Sequence, residues 1–363
     1  MKKIGFVHSV AKIGGAERVS QMLMDGLDPK RFTPFLFCPT EGDLTQWAKS
    51  KGIDYQILPM QQPSAKHPFA TLSQVLIWRK FLTKQNIQIL HTADPYCTRA
   101  ILIAAKLSGV KVLCHFHFPF SESQLAWLFN RLPTPTAFVF CSQDLSDDVG
   151  GKLKRVLANP DLHTIHNGVD TEKYQPKAKP SSPDIHIGII ANLQERKGHL
   201  DFINMASILM PEHDNLIFHV IGGDILEQPR QPLLEAKVKA LGLSEKFVFH
   251  GQVPDVLNEL NALDIVVCAS HEEAFPIAIL EAMAMQKAIV STNVNGIPEA
   301  LEQELSGLMV APHAPQALAT QVKRLILDEG LRQKLAENAK KRVSDNFGLT
   351  VFLSKFEDLY ERI

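Results

Sequence analysis

The chain has 363 residues, a length that suits two domains of ordinary size. Hydrophobic residues make up 45% and charged residues 21%, which excludes a disordered or collagen-like chain. With 38 Lys plus Arg against 39 Asp plus Glu, the net charge is -1, so the overall basic footprint of a nucleic-acid binder is absent.

The start, Met1-Lys2-Lys3 followed by Ile4-Gly5-Phe6-Val7, has the opening of a signal peptide, but His8 and Lys12 interrupt the apolar run. Residues 3–8 therefore read as a buried first strand. No run approaches the roughly 18 consecutive apolar residues that span a bilayer. Residues 16–27 place Val19, Met22, Leu23 and Leu27 at helical spacing. Short apolar runs at 35–38, 55–58, 87–91, 111–115, 137–141 and 162–165 read as further strands. Helical patterns lie between most of them, notably at 71–85 and 98–108. Strands separated by helices need crossover connections, which implies a mostly parallel sheet covered on both faces.

The pattern breaks at residues 173–184, where Pro176, Pro180, Pro183, Ser181, Ser182 and several lysines make a polar connector. A second series follows, with strands at 185–190, 216–221, 247–249, 265–268 and 288–291. Its helices fall at 198–210, 232–241, 256–262, 276–285, 315–327 and 331–343. Two αβα lobes joined in this way place a ligand in the cleft between them, at the carboxyl ends of the strands. The five cysteines, Cys38, Cys97, Cys114, Cys141 and Cys268, are odd in number and scattered. They indicate free thiols in a reducing compartment, and so a cytoplasmic protein.

Five segments carry candidate chemistry. Lys12-Ile13-Gly14-Gly15-Ala16-Glu17-Arg18 follows the first strand. Its glycines allow close backbone approach and its helix start offers N–H groups to an anion; a plain strand-to-helix turn is the alternative. In Cys114-His115-Phe116-His117, strand alternation puts the two histidines on one side and the cysteine on the other. No third ligand lies nearby, so a strand-end histidine facing a cleft, or a core histidine, fits better than a metal site. Asn192-Leu193-Gln194-Glu195-Arg196-Lys197-Gly198-His199 sets two cations before a helix start, an arrangement suited to a diphosphate. The segment 270–285, Ser-His-Glu-Glu-Ala-Phe-Pro-Ile-Ala-Ile-Leu-Glu-Ala-Met-Ala-Met, places Pro276 at a helix start and Glu273 in the loop ahead of it. Glu281 then falls among apolar neighbours, where a carboxylate needs hydrogen-bond donors; ribose hydroxyls would serve. Eight residues of helix span about 12 Å, which disfavours Glu273 and Glu281 as the close carboxylate pair of a retaining glycosidase. His166-Asn167-Gly168-Val169-Asp170 marks a tight turn leaving the first lobe, and 294–299 a similar loop.

In this order, Gly14-Gly15-Ala16-Glu17-Arg18, His166-Asn167-Gly168-Val169-Asp170, Arg196-Lys197-Gly198 and Glu273 with Glu281 at Glu-x7-Glu spacing, the chain resembles the family-four retaining glycosyltransferases over nearly its whole length. The resemblance implies a GT-B fold, two Rossmann-like αβα domains with an interdomain cleft. It implies an N-terminal acceptor-side domain at 1–170, a linker at 171–184 and a nucleotide-sugar domain at 185–346. A final helix at 347–363 would return to the first domain. By motif matching, Lys197 would hold the donor diphosphate, Glu273 would meet the donor sugar, and Glu281 the ribose. The amides around Phe275 and Ile277, a stretch that includes Pro276, would meet sugar and phosphate. Gly14 and Gly15 would line the acceptor side, Gly15 also near the donor phosphate, and His117 would be the strand-end histidine. Two departures stand out. Asn192 occupies the place of an arginine common in the family, whose charge Arg196 would have to supply, and Ile221-Gly222-Gly223-Asp224 replaces a more usual Gly-x-Gly.

The implied activity is transfer of a sugar from a UDP-sugar or GDP-sugar to a hydroxyl acceptor, carbohydrate or lipid-linked, in cell-surface polysaccharide, lipopolysaccharide or glycolipid synthesis. No cofactor and no metal are expected, since cations and helix amides would absorb the leaving-group charge. Lys66, His67, Phe69, Trp78, Arg79 and Lys80 could line a peripheral membrane contact through the N-terminal domain, against the default of a solvated helix. The competing readings are a nucleotide-sugar epimerase or a phosphorylase of the same fold, and a non-catalytic two-lobed sugar-binding protein.

Overall fold

The structure, a computed structural model, describes residues 1–178, 182–224 and 229–363. The chain divides into two compact units: Met1–Asn167 with Leu349–Ile363, and Gly168–Gly348.

Unit 1 is built on seven strands: β1 Lys2–Val7, β2 Phe32–Cys38, β3 Tyr55–Ile57, β4 Ile89–Thr92, β5 Lys111–Phe116, β6 Ala137–Phe140 and β7 Leu162–Thr164. Their order is β3-β2-β1-β4-β5-β6-β7, with every pairing parallel. The apolar runs are continuous rather than alternating because helices cover both faces, so Ile4, Phe6, Leu36, Phe37, Leu90, Leu113 and Phe138 are all fully buried. At Gly5 the packing leaves no room for a side chain: a Cβ there would stand 2.7 Å from Leu90 Cδ2. The sheet order reverses between β1 and β4, which makes this the switch point of unit 1.

The final helix, Leu349–Arg362, belongs to unit 1. Its apolar stripe buries Phe352, Phe356, Leu359 and Tyr360, each aromatic worth roughly 1.5–3 kcal/mol of transfer free energy before ordering costs. Its polar edge is tied down by Arg31 Nη1 to Glu357 Oε2 at 2.8 Å and Asp28 N to Glu357 Oε1 at 2.8 Å. The Tyr360 hydroxyl lies 2.5 Å from His91 Nδ1, fully inside.

Unit 2 repeats the plan with β8 Ile185–Ile190, β9 Leu216–Ile221, β10 Phe247–Gly251, β11 Ile265–Cys268, β12 Ala288–Thr292 and β13 Leu308–Val310. Their order is β10-β9-β8-β11-β12-β13, again all parallel. Ile187, Ile189, Phe218 and Val220 pack against Phe202, Ile203 and Val322 of the covering helices. Here the switch point falls between β8 and β11. Where the chain enters and leaves this unit, Val169 N donates to Phe347 O at 2.9 Å and Val169 bridges Gly348.

Most elements lie within a few residues of the expected bounds, with instructive differences. No strand was expected at 308–310, yet this run closes the edge of the second sheet as β13. The expected helix 331–343 extends over Glu329–Phe347, with the Asp328 side chain accepting from Leu331 N as its cap. Pro276 is the extended N-cap rather than a first-turn residue, and the helix runs Ile277–Ala284. Tyr174, inside the supposedly polar connector, is buried. Residues 179–181 of that connector lie outside the described residues. Among the described residues, no helix is long and apolar enough to cross a membrane.

Replacing Tyr360 with Phe removes the partner of a buried imidazole nitrogen while keeping the packing. The expected cost is about 1–3 kcal/mol in urea unfolding, with unchanged far-UV circular dichroism.

Candidate functional site

The switch point of unit 2 sets the loops after β8 and β11 side by side. The loop after β8 ends in a single turn of 3-10 helix, Glu195–Lys197, and then Gly198 at φ 71°. A Cβ at Gly198 would stand 1.8 Å from the Ala269 carbonyl oxygen, so only glycine lets this loop lie against the end of β11. The close approach brings Lys197 Nζ onto Glu273 Oε1, an ion pair between side chains only 15% and 10% exposed. Ser270 Oγ donates to the same carboxylate oxygen at 3.1 Å. The loop after β12 fixes the Glu273 backbone: Asn295 Oδ1 accepts from Glu273 N at 3.4 Å, and Gly296 N donates to Glu273 O at 3.2 Å.

Arg196 is held by its neighbours rather than by a carboxylate. Its Nη1 donates to Glu272 O at 3.4 Å and its Nε to Gln194 Oε1 at 3.1 Å, while its own carbonyl accepts from His271 N at 2.7 Å. The guanidinium stays exposed. Asn192 is half-buried beneath this loop, its carbonyl accepting from Gln194 N at 2.7 Å. Next to Gly198, burial pushes the His199 imidazole down to about 4. Burial also raises the Cys268 thiol, with the Glu273 charge adding to the effect.

Glu281 lies inside the helix Ile277–Ala284 and is buried, as its apolar neighbours required. Its Oε1 accepts a 2.7 Å hydrogen bond from the Tyr174 hydroxyl. The Phe275 ring packs edge-on against Phe347 in the core, so what this stretch can offer a ligand is backbone. Pro276 and Ile277 stand at the helix start, where N–H groups lack intrahelical acceptors.

In unit 1, Gly14 caps the helix Gly15–Gly26 and donates its N–H to Glu17 Oε2 at 2.9 Å. No atom lies within 4 Å of a Cβ position at Gly15, so backbone alone fronts open space there. Burial would raise the Glu17 carboxyl, but His8, 3.5 Å away, and the amides of Gly14 and Glu17 outweigh it and hold the group below its ordinary value. His117 directly follows β5, its ring centroid 4.0 Å from that of His115. His115 Nδ1 in turn lies 3.1 Å from His91 Nε2. Cys114 is directed the other way, to Thr98 and Thr92. Burial pushes His117 down to about 4 and His91 and His115 well below the ordinary range, so these three rings are neutral at pH 7.

Sequence reasoning brought Lys197 and Glu273 to one place but left Tyr174, Ser270 and Asn295 without roles. Tyr174 was masked by its proline-rich surroundings. Ser270 and Asn295 act only through the loop they brace, which no spacing reports.

Two family models match in series. The model described as Glycosyltransferase Family 4 covers residues 13–173, and Glycosyl transferases group 1 covers residues 170–342. The chain belongs to glycosyltransferase family 4. It is 22% identical to an Escherichia coli UDP-Gal:alpha-D-GlcNAc-diphosphoundecaprenol alpha-1,3-galactosyltransferase over 99% of this chain and 96% of that one. It is 30% identical to the Rhizobium leguminosarum lipopolysaccharide core biosynthesis mannosyltransferase LpcC over 52% of this chain and 56% of that one. The fold matches that of Anabaena HepE, solved with UDP and glucose, at TM-score 0.84 over all of both chains and 20% identity. This glycosyltransferase is therefore a GT-B protein with two parallel-sheet α/β domains. These matches lend no support to the epimerase or non-catalytic readings.

The depressed histidines set a pH dependence. An unfolded histidine titrates near 6.5, whereas His117 and His199 hold no proton until about 4. Between those values the unfolded chain binds more protons, so stability falls as pH drops from about 6.5 to 4 and is complete above it. Urea midpoints measured from pH 7.5 to 4.5 should follow this slope, and His117→Gln should flatten it.

Proposed function

We propose that this glycosyltransferase moves a sugar from a UDP-sugar or GDP-sugar to a hydroxyl acceptor with retention of anomeric configuration. The observation that carries this reading is the buried meeting of Lys197 and Glu273 where β8 and β11 end. A largely covered cation, Lys197, beside an exposed one, Arg196, and the helix start at Ile277 support a receptor for a diphosphate. In this reading Lys197 and Arg196 bind the donor phosphates, and Asn192 lines the same loop without adding charge. Glu273 contacts the donor sugar, the N–H groups of Phe275 and Ile277 meet sugar and phosphate while Pro276, which has no N–H, fixes the turn between them, and Glu281 receives the ribose. Unit 1 contributes the acceptor side through Gly14 and Gly15, with Gly15 also serving the donor phosphate and His117 acting as a neutral hydrogen-bonding group.

The chemistry follows from charge. The bond from the anomeric carbon to the phosphate oxygen breaks, and the acceptor oxygen bonds that carbon from the same face. The acceptor's proton passes to the departing phosphate oxygen. Negative charge grows on the diphosphate, and Lys197, Arg196 and the helix amides stabilise it more in the transition state than in the ground state. We propose that these groups take the place of a catalytic metal. The relatives' names support a cell-surface glycan as the product, and the E. coli name supports a lipid-linked acceptor.

We further propose a peripheral membrane contact through unit 1. On the helix Pro68–Lys84, Phe69 is 86% exposed and Leu72, Leu76 and Ile77 are also exposed, flanked by exposed Lys66, Arg79 and Lys80. Trp78 points inward and is fully buried, so it takes no part. An apolar strip edged with cations suits an anionic bilayer surface.

Three experiments test these readings. Lys197→Ala and Glu273→Gln should each lower kcat/KM by about 10²- to 10³-fold in a donor and acceptor panel while circular dichroism stays unchanged; wild-type turnover in either would refute its role. Thermal-shift screening with UDP, GDP and ADP should show the base. In sedimentation with phosphatidylglycerol-containing vesicles, Phe69→Asp combined with Leu76→Asp should release the protein into the supernatant. Equal binding of that variant and the wild type would overturn the membrane contact.

A further inference from the structure

Behind the diphosphate loop of unit 2, three residues from three separate segments converge. Asp201 sits in the first turn of the helix His199–Leu209, His271 in the loop after β11, and His313 in the loop after β13. One ligand atom from each lies within 4.8 Å of the other two. His271 Nε2 stands 2.7 Å from Asp201 Oδ2, and the two imidazole centroids are 3.6 Å apart with a 36° tilt. His313 adopts φ 57°, a left-handed conformation in which non-glycine residues are uncommon.

We propose that Asp201, His271 and His313 bind one divalent transition-metal ion of the zinc class, with water completing the coordination. Two imidazoles and one carboxylate select zinc, cobalt or nickel over magnesium and calcium, which favour all-oxygen sites. In a tetrahedral site with bonds of 2.0–2.1 Å, ligand atoms sit roughly 3.3 Å apart. The ion would take the place of the proton now shared by His271 and Asp201, with a small opening of that pair. His313 is exposed, so an ion has a path in from solvent.

The ion would join the helix that follows Lys197 to the loop that carries Glu273. Because His271 N also bonds the Arg196 carbonyl at 2.7 Å, it would position the loop bearing both proposed phosphate cations. This is a bracing role, separate from the transfer step, and binding can be read without substrate. The three positions are scattered over the second half of the sequence, so no ligand spacing marked them, and the sequence reading expected no metal.

The test uses the full chain, stripped with chelator and titrated with Zn²⁺ and Co²⁺ by calorimetry and by cobalt absorption. One equivalent should bind, Zn²⁺ should raise the unfolding temperature, and Mg²⁺ or Ca²⁺ should not. His313→Ala and Asp201→Asn should each weaken binding by at least about tenfold. His250→Ala is the control, since His186, His219 and His250 form a second imidazole chain with nitrogens 2.9 Å apart. Failure of the wild type to bind, undiminished binding by His313→Ala, or loss confined to His250→Ala would overturn the assignment.

Discussion

The ion pair between Lys197 and Glu273 is the constraint on which unit 2 turns. Two nearly buried charges are tolerable only with close geometry and additional donors, since either alone would be a costly orphan. The fold meets both demands. Parallel strands β8 and β11 end side by side at the switch point, Gly198 lets the first loop press against the second, and Ser270 adds a hydrogen bond to the carboxylate. Asn295 and Gly296 then hold the Glu273 backbone from a third strand end. In the absence of a donor the pair neutralises itself. In the proposed reading, a diphosphate would compete with Glu273 for the ammonium and free the carboxylate to meet sugar hydroxyls.

Much of the architecture was legible because strands covered on both faces leave continuous apolar runs, and crossovers leave helical periods between them. What escaped was whatever depends on contacts distant in sequence. β13 is three residues long and becomes a strand only by pairing with β12. Tyr174 lies among prolines and lysines, yet it is buried, its hydroxyl donating to Glu281 far along the chain. Glu281 was correctly read as a carboxylate that burial would make demanding, but only the fold shows that a tyrosine hydroxyl meets part of that demand. The Glu-x7-Glu spacing singled out two carboxylates without revealing that one meets a lysine and the other a tyrosine.

The histidines of unit 1 illustrate the same limit from the opposite side. His115 and His117 were visible as a pair on one side of a strand, and that geometry holds, with Cys114 on the other. The sequence could not show that His91, from the neighbouring strand, extends the array to Tyr360 in the returning helix. Burial keeps these rings neutral, so they are hydrogen-bonding groups rather than cations at pH 7. Unit 1 therefore sets neutral imidazoles near the ionised Glu17 of the Gly14-Gly15 turn, while the cations proposed for phosphate binding belong to unit 2.

That division bears on the departure at Asn192. A diphosphate needs more than one cation, and the arginine usual at that position is missing. Lys197 is already paired with Glu273, whereas Arg196 makes no ion pair among the described residues. Its guanidinium is tethered to the Glu272 carbonyl and the Gln194 side-chain oxygen, neutral acceptors that orient it without cancelling its charge. An exposed and oriented cation costs little desolvation and would gain a charged hydrogen bond from an anion. The local geometry thus supports Arg196 as the second phosphate cation, with Asn192 retained as the polar floor of its loop.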